Sequence, residues 1–331
     1  MIEFGTISPL DQDASQAAQQ SLRDGAASAG AGASGLESFA ELAGWLARTN
    51  APASLDRVEL AIVAGERDVP DVVSTLPQGT AQSVSELFAS GRSPIYATAS
   101  AQGVSVSFLD ATRSHPSLNS TESDGVEAAG ESEMFTAAMK RGMDYADRQA
   151  DEGVQLILLG DVGRGLTTTA AAMIGTLCSI EPVKVIGWGS GISDDGWREK
   201  VKLIRDDMFS VRDDRADAWR VLVGIGTPDI AVMAGILAQS AVRRTPVVFD
   251  GVGATAAALC AQVMAPGANQ WWRPAGPGTE PAISPALNAL QLQPIMPTRI
   301  GFGQGAATLM ALPMLRFATE CGGAEPGEPS A

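Results

Sequence analysis

Apolar positions along this chain follow two rhythms. Short apolar runs, VELAIVA at Val58–Ala64 and VQLILL at Val154–Leu159, have strand length and, beyond the single polar residues Glu59 and Gln155, carry no polar alternation. That is the pattern of strands buried on both faces of a parallel sheet. Val104 to Leu109 alternates, as a half-buried strand does. VKVIG (Val183–Gly187), PVVF (Pro246–Phe249) and Pro294–Met296 read as further strands. The second rhythm is helical. Leu36, Phe39, Leu42, Ala43 and Leu46 fall on one face, which predicts an amphipathic helix over 36–48. The same reasoning predicts helices over 11–23, 80–90, 132–152 and 167–177, and one from about Trp197. Others are predicted over 216–224, 229–243, the ATAAALCAQVM run, 285–291 and 304–320. Residues 24–35 (DGAASAGAGASG), 113–131 and the tail from Gly322 are small, polar and turn-rich, and read as loops or disordered chain.

Strands alternating with helices imply parallel βαβ units. The fold class is therefore α/β, a Rossmann-like parallel sheet flanked by helices. In such sheets ligands collect at the carboxyl ends of the strands. Three glycine-rich loops of this chain follow predicted strands, which places them there.

Composition narrows the chemistry. The chain has 331 residues, 45% of them hydrophobic, enough for a large core, and only 5% aromatic. Its formal net charge of −15 repels phosphate backbones and anionic lipid, so neither nucleic acid nor membrane is an expected partner. A small anion is still compatible, because backbone N–H groups bind anions whatever the overall charge. Cys178, Cys260 and Cys321 are widely spaced and form no CxxC pair, so no zinc site and no disulfide framework are expected, only reduced buried thiols. His115 is the single histidine, which excludes mechanisms that need two. No metal and no cofactor is expected. The N-terminus has no signal-peptide character and no apolar run has membrane-spanning length, which predicts a cytoplasmic protein.

The first loop is GDVGRGLTT, Gly160–Thr168. Its glycines let backbone approach a ligand, and the helix start offers free N–H groups. It fits GxxxxGxT, but the lysine of a nucleotide P-loop is here Leu166, which disfavours an NTPase. A tight turn without a ligand would use the same residues. The second loop, GWGSGISDDG (Gly187–Gly196), is followed by Lys200, placed either to meet a phosphate or simply in solvent. The third is DGVGAT, where Asp250 either caps a helix or holds a hydroxyl, and Asp229 before IAVMAG has the same ambiguity.

The order GDVGRGLTTTAA, VIGWGSGISDDGWREK, PDIAVMAG, PVVFDG, RIGFGQGAATLMALPML resembles the nicotinate-nucleotide–dimethylbenzimidazole phosphoribosyltransferases over about residues 154–318. That family shows GEMGIGNTT, VGRGTGLDDAG, GGxEIAAMAG, VxLDG and LGEGTGAA in this order. The resemblance implies a dimer, and transfer of phosphoribose from nicotinate mononucleotide to an aromatic base of benzimidazole type, used for the lower ligand of cobalamin. It also implies a small helical domain made from both chain ends. Together with the amphipathic terminal segments, this predicts a large domain over 57–300, a small one from 1–50 plus 301–320, and a tail over 322–331. The donor is expected on Gly160, Gly163, Gly165, Gly187, Gly189, Gly191 and Gly303, helped by Thr167, Thr168, Ser190, Lys200 and Asp229. Asp161 matches the acidic residue of the family's first loop.

The departures fall on the chemistry. The family's general base is the glutamate of GEGTGAA; this loop reads GFGQGAA, with Phe302 at that position. Glu66, Arg67 and Asp68 stand where the family carries DHG, Pro277 and Gly278 replace His and Arg, Leu166 replaces Asn, and Trp188 replaces Arg. Asp161, with Glu66 and Glu280 behind it, is the candidate substitute base. Trp188 is placed to plug the pocket. Three readings stay open: a transferase, a non-catalytic binding or regulatory subunit paired with itself or a paralogue, and an unrelated nucleotide-binding protein. The expected benzimidazole transferase activity is low.

Overall fold

The computed structural model describes residues 2–28, 36–49, 54–113 and 127–323. In chain order the elements are α1 (Gln12–Ser28), α2 (Glu37–Arg48), β1 (Val58–Ala64), α3 (Thr80–Ala89), α4 (Pro94–Ala101), β2 (Ser105–Asp110), α5 (Glu127–Asp151) and β3 (Leu156–Val162). There follow α6 (Leu166–Leu177), α7 (Pro182–Val185), α8 (Asp194–Ser210), α9 (Ala218–Ile225), α10 (Pro228–Val242) and β4 (Val247–Phe249). The last are α11 (Val252–Met264), β5 (Trp272–Pro274), α12 (Ile283–Leu290) and α13 (Ala306–Gly323).

The five strands form one parallel sheet in the order β2-β1-β3-β4-β5. The continuous apolar runs supply its centre: every residue of β1, Glu59 included, is buried, as are all but the last of β3. The alternating run became β2, at the edge and only partly covered. The chain lays β2 on one side of β1 and then returns to lay β3 on the other. The order therefore reverses between β1 and β3, and the crevice beyond their carboxyl ends is where such sheets bind ligands. The two chain ends meet: α1 and α2 pack on α13, with Phe39 edge-on to Phe317 at 5.0 Å. The Arg316 guanidinium ties α13 to Leu55 O and Gln102 O.

Several sequence expectations are corrected. VKVIG is not a strand. Pro182 opens the single helical turn α7, Lys184 N donates to Glu181 O, and the backbone only extends again at Ile186. Three β-branched or long side chains look like a strand locally, but no sheet edge is there to pair them. Pro294–Met296 is not a strand either, although Ile295 N and Met296 N donate to Pro274 O and Ala275 O. The last strand is β5, whose two residues before the proline gave no recognisable period. β3 runs on through Gly160 and Asp161 to Val162 rather than ending at Leu159. Residues 24–28 belong to α1 and 127–131 to α5, not to loops. The short α4, capped by Ser93 with Pro94 in its first turn, was not anticipated. Cys178 and Cys321 are only half-buried, and all three cysteines are free. The expectations for 29–35, 114–126 with His115, and 324–331 lie outside the described residues. Among the described residues no helix is long and apolar enough to cross a membrane.

Candidate active site

The site is built where three chain segments converge on the end of β3. Gly160 makes the first approach possible: a Cβ there would stand 2.1 Å from Gly305 N, so only glycine lets the 301–305 loop lie on the strand. Gln304 N then donates to Asp161 O at 2.9 Å. On the other side Gly65 N donates to Val162 O at 3.1 Å and Arg67 N to Arg164 O at 3.0 Å, which carries the β1 ladder into the turn. The carboxyl ends of β1 and β3 and the GFGQG loop are thereby locked together. A cavity of about 280 Å³ opens beside them.

The two glycine loops share this cavity, although the second follows no strand. Lys200, on α8 and fully buried, spans them: its Nζ donates to Thr167 Oγ1 at 2.9 Å and to Gly187 O at 3.1 Å. Burial lowers the Lys200 pKa, and the nearby Glu280 carboxylate opposes that shift. Gly189 has φ +51°, and a Cβ there would meet Thr167 Oγ1 at 2.7 Å and Lys200 Nζ at 3.0 Å. The space where hydroxyl, ammonium and backbone converge is thus kept open by the missing side chain. Gly189 N donates to Glu280 Oε1 at 3.1 Å. Ser190 is held from the other side: Thr75 N donates to its Oγ at 2.8 Å, and Thr75 Oγ1 to its carbonyl at 2.7 Å. Segment 69–76 is in turn gathered around the buried Arg164, which donates to Val69 O, Asp71, Ser74 O and Leu76 O.

The same cavity is lined by a buried carboxylate. Asp161 Oδ2 accepts from Ala254 N, in the first turn of α11, at 3.0 Å. Burial raises its pKa to about 7, with Asp250 and Asp229 adding to the shift. Asp250 accepts from Ala307 N of α13 at 3.1 Å and is raised by burial to about 6. Asp229 is likewise raised by burial, and its Oδ1 has no hydrogen-bond partner among the described residues. Glu66 is occupied elsewhere, accepting from Gly79 N and Ala81 N at the start of α3. Phe302 stands on the cavity wall with 58% of its surface exposed. Trp188 does not plug the pocket: it is exposed and leans on Trp197 with ring centroids 6.4 Å apart.

Of the residues anticipated from sequence, Asp161, Gly163, Thr167, Gly189, Ser190, Glu280, Phe302 and Gly303 line the cavity, as do Leu166 and Gly278 at two of the family's changed positions. Lys200 and the Gly187 carbonyl stand directly behind Thr167. Gly160, Gly165, Thr168, Gly191 and Asp229 are not on the wall. Gly160 serves strand packing, Gly165 turns the chain into α6 at φ +77°, Gly191 closes a turn, and Thr168 and Asp229 are buried beneath. The sequence reading missed Leu76, Thr279, Ile283, Ile300 and Gly301 as lining residues. No local period marks the irregular 275–282 and 297–301 segments; only their return past β5 brings them here. Asp250, read as a cap or a hydroxyl ligand, also reaches the wall, and its place at the end of a strand was the available signal.

The fold and the site define a phosphoribosyltransferase class: a family model described as phosphoribosyltransferase matches residues 7–324. More narrowly, the chain belongs to the nicotinate-nucleotide–dimethylbenzimidazole phosphoribosyltransferase family. The relative of that name from Corynebacterium glutamicum is 40% identical over 276 residues, 81% of this chain and 77% of that one. The one from Mycolicibacterium paratuberculosis is 35% identical over 332 residues, 96% of this chain and 94% of that one. The crystal structure of CobT from Thermus thermophilus superposes with a TM-score of 0.81 at 25% identity, covering 95% of this chain and 100% of that one.

Proposed function

We propose that this protein transfers phosphoribose from nicotinate mononucleotide to a ring nitrogen of a benzimidazole-type base, with Asp161 as the proton acceptor. The observation that carries this is one cavity lined by both a buried, protonatable carboxylate and a set of anion-compatible donors. The donor's phosphate sits on the second glycine loop, near Gly189 N, Lys200 and Thr167. The acceptor's ring nitrogen attacks the anomeric carbon, nicotinate leaves with the bonding pair, and the ring proton passes to Asp161. A carboxylate titrating near 7 is suited to that role at neutral pH, where a useful fraction is ionised and can still take up the proton. Phe302, where the family's glutamate would stand, offers an apolar ring face to the acceptor and accepts no proton.

Family membership supports the reaction class, and the retained Asp161, Lys200 and paired loops support a working donor site. The reading also takes the terminal helices (1–50 plus 301–320) as a small domain against 57–300, and the active species as a dimer, either of this chain or with a paralogue. Release of nicotinate from its mononucleotide in the presence of 5,6-dimethylbenzimidazole is the test. Turnover that is lost in Asp161→Asn while the donor still binds supports the assignment. Unchanged turnover in Asp161→Asn removes Asp161 from the chemistry.

A further inference from the structure

Glu280 lies in the irregular segment between β5 and α12 and lines the cavity. Its Oε1 accepts the Gly189 N–H at 3.1 Å. Its other oxygen, Oε2, is buried and has no hydrogen-bond partner among the described residues. That oxygen is pressed against the glycine loop: a Cβ on Gly187 would stand 2.3 Å from it. Lys200 is close enough for the carboxylate to oppose the fall in its pKa, yet Nζ spends its hydrogen bonds on Thr167 and Gly187 O. An acidic side chain therefore already rests on the backbone donor and beside the cation that would attract an anion from outside.

We propose that Glu280 holds the anion position of the second glycine loop from within the chain, so that an incoming phosphate must displace it. This rests on the donor-site reading above and adds a residue that sets the donor's affinity. One backbone N–H cannot serve two anions, and two anions sharing a partly buried site repel. The latch is held by a single hydrogen bond, because Oε2 has no donor, so leaving gives up one bond rather than two. A phosphate dianion brings more charge to Gly189 N and Lys200 than the carboxylate it replaces. A monoanionic carboxylate brings no more than Glu280 already does. Glu280 thus makes the site select phosphoryl groups over carboxylates, and is a positioning residue rather than a catalytic one.

The test is calorimetric titration of the full chain with inorganic phosphate and with nicotinate mononucleotide, for the wild type, Glu280→Gln and Glu280→Ala. Glutamine is isosteric and uncharged and can still accept from Gly189 N. Removing the competing charge is expected to tighten binding of both probes at least about fivefold, the scale of one relieved like-charge contact at ~4 Å in water, and more where the site excludes water. Acetate, at best a weak binder of the wild type, gains in the variants as well. Equal or weaker phosphate binding by Glu280→Gln overturns the proposal. So does a pattern in which Glu280→Ala loses affinity while Glu280→Gln matches the wild type, since that describes a structural clamp. If neither probe binds any of the three proteins, the donor-site reading itself falls, and this inference with it.

Discussion

At the scale of single residues, the loss of one carboxylate separates this chain from the family's pattern. Phe302 occupies the position of the glutamate in GEGTGAA, and Asp161, beside Asp250 and Glu280, is among the carboxyl groups left on the cavity wall. Losing a positioned general base typically costs ~10² to 10⁴ in rate. Nicotinate release by this protein is accordingly expected to be slower by that order than in a family member retaining the glutamate, assayed side by side. A rate within about tenfold of such a control would show Asp161 to be a full replacement. Phe302→Glu should raise the rate, since the side chain has room at an exposed position of the wall. With Asp161 as base, kcat/KM rises with pH through about 7 and levels off above it. A profile flat between pH 5.5 and 8 would exclude the assignment.

At the scale of elements, the site depends on how segments without regular structure are held. Arg164 sits where the family's loop has isoleucine, and its guanidinium gathers the carbonyls of Val69, Ser74 and Leu76. Those residues place Thr75, which clamps Ser190, and Leu76, which lines the cavity. Arg164→Met would leave several buried carbonyls without donors, at about 1–3 kcal/mol for each one that water fails to reach. The expected result in urea unfolding is a loss of about 3 kcal/mol, with KM for the donor rising more than kcat falls. Equal stability would mean that water replaces the guanidinium. Gly160→Ala is expected to be more damaging still, because the added methyl meets backbone rather than a movable side chain. Its measure is soluble yield and a lowered Tm.

At the scale of the whole molecule, three buried carboxylates around one crevice make stability depend on pH. Asp161 and Asp250 are raised from 3.8 to about 7 and about 6, and Asp229 moves in the same direction, all chiefly by burial. Their folded-state values lie above the unfolded ones. The stabilisation they provide is therefore complete below about 4 and is lost as pH rises through about 6 to 7. The net charge of −15 adds repulsion in the same direction. Thermal unfolding should give a higher Tm at pH 5.5 than at pH 8. Asp161→Asn should narrow the gap by raising the Tm at pH 8, since an amide oxygen can still accept from Ala254 N. A Tm independent of pH over this range would contradict the burial of these groups. Stability gained where activity is lost is the usual mark of a strained functional residue.

Most of the sheet and helix order was legible because burial on both faces writes itself into the chain as apolar runs without polar alternation. β1 and the start of β3 announce themselves this way, and the amphipathic period of 36–48 fixes α2. The glycine loops were legible too, and with them the family, because close backbone approach admits so few residues. What local pattern could not supply was pairing. VKVIG has the composition of a strand but finds no edge, whereas Trp272–Pro274 looks like none and pairs with β4. The cavity wall shows the same division. Asp161, Thr167 and Gly189 stand in recognisable motifs, and Glu280 was named as a possible base, but Thr279 and Ile300 reach the site only through the return past β5, which also sets Glu280 against Gly189. Whether a carboxylate there is a base, a cap or a latch is decided by its neighbours and by the water it loses. Neighbours and desolvation are properties of the folded chain, so Glu66 at the α3 start, Asp161 on the cavity wall and Glu280 on Gly189 could be told apart only in the tertiary structure.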